Sequence, residues 1–531
     1  MQQYKNPVIP GYNPDPSIVR VGEDFYLVTS SFEFFPGVPI YHSKNLVNWE
    51  LINHCLTDEQ QLPLAKARNS GGIFAPTIRY HDGLFYMITT NVDNGGNFLV
   101  YTDDVRGKWS APVWIKHKGI DPSLLFDQGK VYFCSTSLQD GKAGIALYEM
   151  NPQTGQLFTQ PQIITYGSGG KYPEAPHLYH IGDKYYLMIA EGGTEYGHME
   201  TIFRADNPYG PFKACPHNPI LSHRSAMGSP IQATGHADIV EDQNGNWWMV
   251  FLGIRPLEHA MLHNLGRETF LAPVTWNSEG WPVIEDAGVI KLDMNGPLPQ
   301  PALPVALSFE DDFSSVVLKQ GWYQVRNPVT HRYQHSDMGL ILIAGDETIS
   351  DKNPTGILIR QQAFNISAQT ELSIIDLPES AKVGLTAYYN TDYHYEAYLT
   401  RCEDKIAVCL DLTVHSIQAQ VACVLLSPLK TISFKVVADQ RYYTFYFRTE
   451  QDWIQLGKGS TAGLCTEGTQ TMTFTGTFLG IFAAQKALVC FTSFQAKQLP
   501  TDYHIAGLPL TENKPKLIQD ENYADAPVNL P

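Results

Sequence analysis

Hydrophobic and polar positions in the first half of the chain follow one pattern that recurs five times. A tight turn rich in Gly and Asp or Asn leads into paired aromatic or β-branched residues and then into apolar alternation. The five copies are Gly22-Glu-Asp-Phe-Tyr-Leu-Val, Asp82-Gly-Leu-Phe-Tyr-Met-Ile, Gln128-Gly-Lys-Val-Tyr-Phe-Cys, Gly182-Asp-Lys-Tyr-Tyr-Leu-Met and Asn244-Gly-Asn-Trp-Trp-Met-Val. Each reads as a hairpin turn feeding a strand. A shorter apolar strand precedes each one, opening with Asp15-Pro-Ser-Ile, Ala75-Pro-Thr-Ile, Asp121-Pro-Ser-Leu, Ala175-Pro-His-Leu and Ala237-Asp-Ile-Val. The spacing is constant: Asp15 to Phe25, Ala75 to Phe85, Asp121 to Val131, Ala175 to Tyr185 and Ala237 to Trp247 are all ten residues. Five all-β units at intervals of roughly 45 to 62 residues, with no helical periodicity between them, predict a five-bladed β-propeller. A sandwich has strands at similar density but would not repeat one motif five times.

The pattern changes at Gly296-Pro-Leu-Pro-Gln-Pro-Ala-Leu-Pro304, where prolines remove backbone donors and stiffen the chain. Beyond it, period-2 alternation continues in Gly384-Leu-Thr-Ala-Tyr-Tyr-Asn, Ile432-Ser-Phe-Lys-Val-Val and Arg441-Tyr-Tyr-Thr-Phe-Tyr-Phe-Arg, without catalytic motifs. The expected organisation is all-β: a propeller over residues 1–295, a Pro-rich linker over 296–307, a jelly-roll, concanavalin-like β-sandwich over 308–500 and a surface tail over 501–531.

Length agrees with two domains, since 531 residues exceed one ordinary core. The net charge of −17 argues against polyanionic partners, so neither nucleic acid nor an anionic membrane surface is expected. No run approaches the roughly 18 to 20 apolar residues of a membrane span. The 28 Tyr, 25 Phe and 9 Trp suit stacking on sugar faces, although β-sheet core accounts for most of them. The opening residues hold no apolar h-region, and the eight cysteines form no CxxC pair. Cys409, in an apolar strand, reads as a small buried thiol. Cytoplasmic placement is therefore expected, with a periplasmic or secreted protein whose leader is removed as the alternative. No heptads or isolated apolar helix specify self-association, so a homo-oligomer is left open.

In a propeller the innermost strand opens each blade, and its first residues ring one mouth of the central channel. Four of the five openings place an ionisable group there: Asp15, Asp121, Glu174 and His236; the other has Phe74. Convergent carboxyls are rarely a structural need, because burying like charges costs free energy. A paired general acid and general base is the arrangement glycoside hydrolysis uses. One detail resists the pattern. Asp15 and Asp121 occupy the repeat position, whereas Glu174 and His236 precede it by one residue, which strict alternation would send to the opposite face. All four are expected at the strand mouth, before alternation sets in.

Together, Asn13-Pro-Asp15-Pro-Ser-Ile, Ser31-Phe-Glu-Phe-Phe-Pro-Gly-Val, Ser70-Gly-Gly-Ile-Phe-Ala-Pro, Gly119-Ile-Asp121-Pro-Ser-Leu, Glu174-Ala-Pro-His-Leu-Tyr, Ala190-Glu-Gly-Gly-Thr-Glu-Tyr-Gly-His and Leu265-Gly-Arg267-Glu-Thr resemble glycoside hydrolase family 43. The resemblance covers nearly the whole chain and is nearest to the two-domain β-xylosidase and α-L-arabinofuranosidase branch. It implies an inverting, exo-acting hydrolase acting on xylo- or arabino-oligosaccharides, with no required cofactor. Asp15 would be the general base, Glu174 the general acid, and Asp121 the group that tunes and orients the acid. Arg267 would bind sugar hydroxyls and hold Asp15 ionised; Thr194, in the Gly-Gly-Thr motif, would also contact sugar. Phe32 and Phe74 would wall the pocket, although position 74 is often Trp in relatives. Phe474 is the candidate for an aromatic delivered by a sandwich loop, with plain core packing as its alternative. His236 would lie on the propeller axis, either as a minor ligand of a calcium ion or as a neutral imidazole bonded to a pocket carboxylate.

Two rivals follow from the same architecture. A retaining fructosidase would carry Asp-Pro-Asn-Gly, Arg-Asp-Pro and Glu-Cys motifs, whereas Asp15 is followed by Pro-Ser and Glu174 by Ala. A non-catalytic carbohydrate-binding propeller would be expected to lack one of the three carboxyls. All three are present.

Overall fold

The computed structural model describes residues 1–500, apart from Val305 and the Asp286 side chain. The expected tail over 501–531 lies outside the described residues. Five four-stranded antiparallel sheets form the N-terminal half, each built from strands in sequence order, with the short strand Phe34–Phe35 left out of the first. Their inner strands are Ser17–Val21, Thr77–His81, Ser123–Asp127, Glu174–Ile181 and Gln232–Glu241, in blades 1 to 5 respectively. These contact one another in a closed cycle, with blade 5 returning to blade 1. The ring is further tied where Gln2–Lys5 pairs antiparallel with Asp293–Gly296.

The hairpins form because their turn residues accept positive φ. Asp82-Gly83 (φ 48° and 81°) and Gln128-Gly129 (48° and 76°) put both central residues in the left-handed region. Gly22 (64°) and Gly182 (63°) take it at the first position only. Blade 5 differs: Glu241 pairs with Trp247, leaving a five-residue turn over 242–246. Between blades the apolar faces pack into continuous clusters, as where Phe25 and Leu27 of blade 1 meet Trp248, Phe251 and Phe270 of blade 5. Each such side chain contributes roughly 1.5–3 kcal/mol by leaving water.

An eight-stranded and a six-stranded antiparallel sheet form the C-terminal sandwich. The sequence-read strands are found in Lys382–Asn390, Thr431–Ala438 and Tyr442–Arg448. Residues Met1–Gln498 make one compact unit. The six-stranded sheet turns Tyr388, Phe478 and Phe482 toward Tyr12, Phe32 and Phe34 of the propeller, with the Phe34 and Phe478 rings stacked 4.2 Å apart. Phe34–Phe35 also pairs with Gln324–Val325 as a strand shared by the two halves. The Pro-rich connection is not a free spacer. Asn45 Nδ2 donates to Pro301 O (2.9 Å), and Asn48 exchanges two hydrogen bonds with the Leu303 backbone (2.7 and 2.9 Å), pinning it to blade 1.

One expectation is corrected. Cys409 is not a lone thiol: in-register pairing sets it opposite Cys423, and the two are joined as a disulfide.

Candidate active site

Each blade carries a β-bulge at the mouth of its inner strand, and these bulges build the site. In blade 4, Glu174 pairs with Ala190 but His177 with Met188, so one extra residue is inserted. In blade 5, Gly235 pairs with Leu252 and Asp238 with Val250. Blades 1 and 3 show the same shift: Ser17 faces Val28 while Ser30 N bonds Pro14 O, and Ser123 faces Cys134 while Thr136 N bonds Ile120 O. The first bulge residue is left-handed in four blades: Asp15 (φ 55°), Asp121 (54°), Ala175 (52°) and His236 (51°). Asp tolerates this region; Ala and His pay roughly 1–2 kcal/mol for it.

This geometry amends the sequence alignment. The blade-5 equivalent of Asp15 is His236 rather than Ala237, and the longer turn over 242–246 makes that spacing eleven residues. Glu174 does precede its bulge residue, Ala175, by one. Because a bulge sets two residues against one, it interrupts alternation, and the residue before it also reaches the mouth. The face conflict disappears.

Asp15 is buried, with Arg267 Nη1 2.8 Å from Oδ1, Ser30 Oγ donating to Oδ2 at 2.5 Å, and His236 Nδ1 3.4 Å from Oδ1. Burial alone would raise its pKa, but Arg267, His236 and Ser30 together hold it below the ordinary carboxylate value. Glu174 behaves in the opposite way. Burial and then the Asp15 charge push it up to about 7, against the lowering effect of Arg267. Asp121 is also raised, by burial first and then by Glu174 and Asp15. It lies deeper than Glu174, which is half-buried at the opening. Three carboxyls are thus brought into one recess, one ionised and two inclined to keep a proton.

Arg267 is placed by backbone ties: its carbonyl accepts from Asn13 N (2.9 Å), and Thr269 Oγ1 donates to Asn13 O (2.7 Å). Its guanidinium also reaches Thr194 Oγ1 (3.1 Å) and the Phe474 carbonyl (3.3 Å). Phe474 comes from the sandwich, held by its N–H to Ser70 Oγ (3.0 Å). Its ring lies 5.7 Å from Phe32 and 5.8 Å from Phe74, which are themselves 5.1 Å apart. The structure therefore gathers all nine sequence candidates, Asp15, Phe32, Phe74, Asp121, Glu174, Thr194, His236, Arg267 and Phe474, around the mouth of the ring.

Several neighbours escaped the sequence reading. Ser30 carries no motif of its own. His198, inside a quoted motif, is buried and pushed down to about 3 by burial. Below the site, Asp238 accepts from Arg79 (2.8 Å), Ser17 (2.7 Å), Tyr179 (2.6 Å) and two backbone N–H groups, and Arg79 also donates to His177 Nδ1 (2.8 Å). This network fills the ring beneath the mouth. Its residues lie on four different blades, so no local pattern joins them.

Around His236, the candidate ligand of an axial calcium, stand the carboxylates of Asp15, Asp238 and Glu200. Burial lowers the His236 pKa against the raising effect of Asp15, which stands beside Nδ1. The axial carboxylate Asp238 is fully engaged, whereas the buried Glu200 accepts from Ala237 N (3.0 Å) through one carboxylate oxygen and leaves the other without a partner. No group of three or more His, Cys, Asp or Glu side chains among the described residues is arranged to hold a metal.

Comparison with known proteins agrees with this geometry. Residues 4–282 match the model of glycosyl hydrolases family 43, and residues 310–496 match the beta xylosidase C-terminal concanavalin A-like domain. A non-reducing end α-L-arabinofuranosidase of Bacteroides ovatus is 38% identical over 94% of this chain and 93% of its own. A β-xylosidase of Bacillus subtilis is 34% identical over 84% and 90%. Among solved structures, a family 43 protein of the Bacteroides ovatus xyloglucan locus superposes with a TM-score of 0.90 at 38% identity, covering 94% of this chain and all of that one. A xylan β-1,4-xylosidase of Bacillus halodurans gives 0.86 at 32% identity, covering 93% of this chain and all of that one. The chain belongs to glycoside hydrolase family 43, as a propeller hydrolase with a C-terminal concanavalin-like sandwich.

Proposed function

We propose that this protein is an inverting, exo-acting hydrolase that releases terminal α-L-arabinofuranosyl and/or β-D-xylosyl residues from hemicellulose-derived oligosaccharides. The observation that carries the reading is the convergence of Asp15, Asp121 and Glu174 in one recess where Arg267 stands 2.8 Å from Asp15, so that the surroundings push the Asp15 pKa down and that of Glu174 up. Glu174 gives its proton to the glycosidic oxygen as the C–O bond breaks. Asp15, ionised beside Arg267, takes a proton from the water that attacks the anomeric carbon from the other side. Glu174 then regains a proton from solvent, and Asp15 returns the one it took. Burial and the Asp15 charge keep Glu174 protonated, and Asp121, itself pushed toward its protonated form, orients it.

Exo action fits a recess walled by Phe32, Phe74 and Phe474 and closed from below by the Asp238–Arg79–His177 network. The pentose choice is supported by the names of the relatives, which include both arabinofuranosidases and xylosidases. Paired aryl α-L-arabinofuranoside and aryl β-D-xyloside substrates test turnover, and proton NMR of the first sugar released tests stereochemistry. The anomer opposite to the substrate is expected. Retention would overturn the inverting assignment, and absence of turnover on both would leave only a sugar-binding propeller.

A further inference from the structure

The loop before the general acid carries an aromatic ring that the scheme above does not use. Tyr172 stands two residues ahead of Glu174 and is 64% exposed. Its backbone is left-handed, at φ 51°. For a bulky residue that conformation costs roughly 1–2 kcal/mol, and an exposed tyrosine recovers little of it through burial. Such strain persists only where the surroundings over-determine it, and it gathers where ligands are held.

The surroundings do fix it. The preceding run, Gly167-Ser-Gly-Gly170, wraps around the buried Glu191 carboxylate. Oε1 accepts from Ser168 N (2.8 Å) and Thr201 Oγ1 (2.7 Å), and Oε2 from Gly170 N (2.8 Å). A Cβ at Gly167 or Gly170 would stand 2.8 Å from this side chain, so the loop needs glycine to close on its anchor. Lys171 O then accepts from Gly192 N (2.7 Å). The Tyr172 ring lies over Gly193, where a Cβ would come 3.3 Å from the ring. The next residue is Thr194, which reaches Arg267 inside the site. An exposed ring is thereby held at a fixed place on the rim, on the side of the residue that protonates the departing oxygen.

From this we infer that Tyr172 is the platform on which the sugar of the leaving group stacks, so that the enzyme recognises a glycoside chain and not only its terminal pentose. The inference rests on the hydrolase reading above. A glycosidic oxygen receiving its proton from Glu174 carries the leaving sugar toward this rim, and an exposed ring face beside it is what a pyranose or furanose face packs against.

The test compares a pentose disaccharide with a pentosyl fluoride, whose leaving group is a single atom. In Tyr172→Ala and Tyr172→Gly, the ratio of disaccharide to fluoride kcat/KM falls about tenfold, chiefly through KM on the disaccharide, as loss of one stacking contact predicts. Tyr172→Phe keeps the wild-type ratio. Tyr172→Gly melts no lower than wild type, because glycine adopts positive φ freely. A ratio within twofold of wild type in both variants, or a Tyr172→Gly enzyme that melts well below wild type, overturns the inference by assigning the ring to structure. If the wild-type enzyme turns over neither substrate, the hydrolase reading itself fails, an outcome distinct from an unchanged ratio.

Discussion

Replacing Glu174 with Gln removes the raised carboxyl and keeps its shape, so stability and catalysis should move in opposite directions. The ordinary value is 4.5, and the folded value is pushed up to about 7. A carboxyl of this kind binds its proton more tightly when folded than when unfolded. Its contribution is complete below about pH 4.5 and is lost as pH rises toward 7. At pH 8 the wild-type protein therefore bears the cost of an ionised carboxylate near Asp15 and Asp121. At roughly 1.4 kcal/mol per pKa unit the ceiling is about 3 kcal/mol, and for a half-buried group a value on the order of 2 kcal/mol is expected. Gln carries no charge at any pH. Thermal unfolding at pH 4.5 and pH 8 should accordingly show the Glu174→Gln advantage opening only at the higher pH. Kinetically, kcat/KM of the wild type falls above about pH 7 as Glu174 loses its proton, and the variant lacks that limb. Its loss on natural glycosides should reach about 100- to 10,000-fold, while aryl glycosides with good leaving groups are largely spared. Equal losses on both substrate types, or a variant no more stable than wild type at pH 8, would refute the assignment of Glu174 as a strained acid.

Arg267→Ala strips Asp15 of its main counter-charge, whose guanidinium stands 2.8 Å away. The Asp15 pKa should rise, so the acid limb of the kcat/KM profile moves to higher pH, with a fall of about 100-fold or more at neutral pH. A limb that stays in place would mean that His236 and Ser30 suffice. Gly235→Ala drives a methyl to within 2.7–2.8 Å of the buried His198 ring. It should cost roughly 1–3 kcal/mol of stability, seen as a lowered Tm, even though neither residue touches sugar in the scheme.

The fold was legible because its signals are local. Hairpin turns need glycine or aspartate at fixed positions, and the strands they join alternate, so one motif recurs wherever a blade recurs. Asp15, Asp121 and Glu174 were legible for the same reason, as they head repeated strands. What the residues alone withheld is non-local. Arg267 is one arginine among many until the backbone ties at Asn13 aim it at Asp15; it was singled out only through the family resemblance. Phe474 reaches Phe32 across more than four hundred residues of chain, which no periodicity encodes. The apparent face conflict at Glu174 arose because strict alternation has no place for a bulge, and the bulge residue Ala175 shows no glycine to announce it. Tyr172 sits in a glycine-rich loop that reads as a plain connection until Glu191 is seen to hold it.

The ring also explains why like residues in like places do unlike chemistry. Asp15 and Asp121 share a bulge, a left-handed backbone and a following proline, yet only Asp15 is driven toward ionisation. Their difference lies in their neighbours around the cycle. Arg267 opens the strand Glu268–Trp276 of blade 5, and blade 5 adjoins blade 1, so its guanidinium falls on Asp15. Asp121 and Glu174 come from the adjoining blades 3 and 4, where burial comes first and neighbouring carboxylate charge adds to it (Asp15 for Glu174, Glu174 and Asp15 for Asp121), so both are pushed toward the protonated form. The fivefold frame delivers equivalent carboxyls to one cavity, and one asymmetrically placed cation divides them into base and acid.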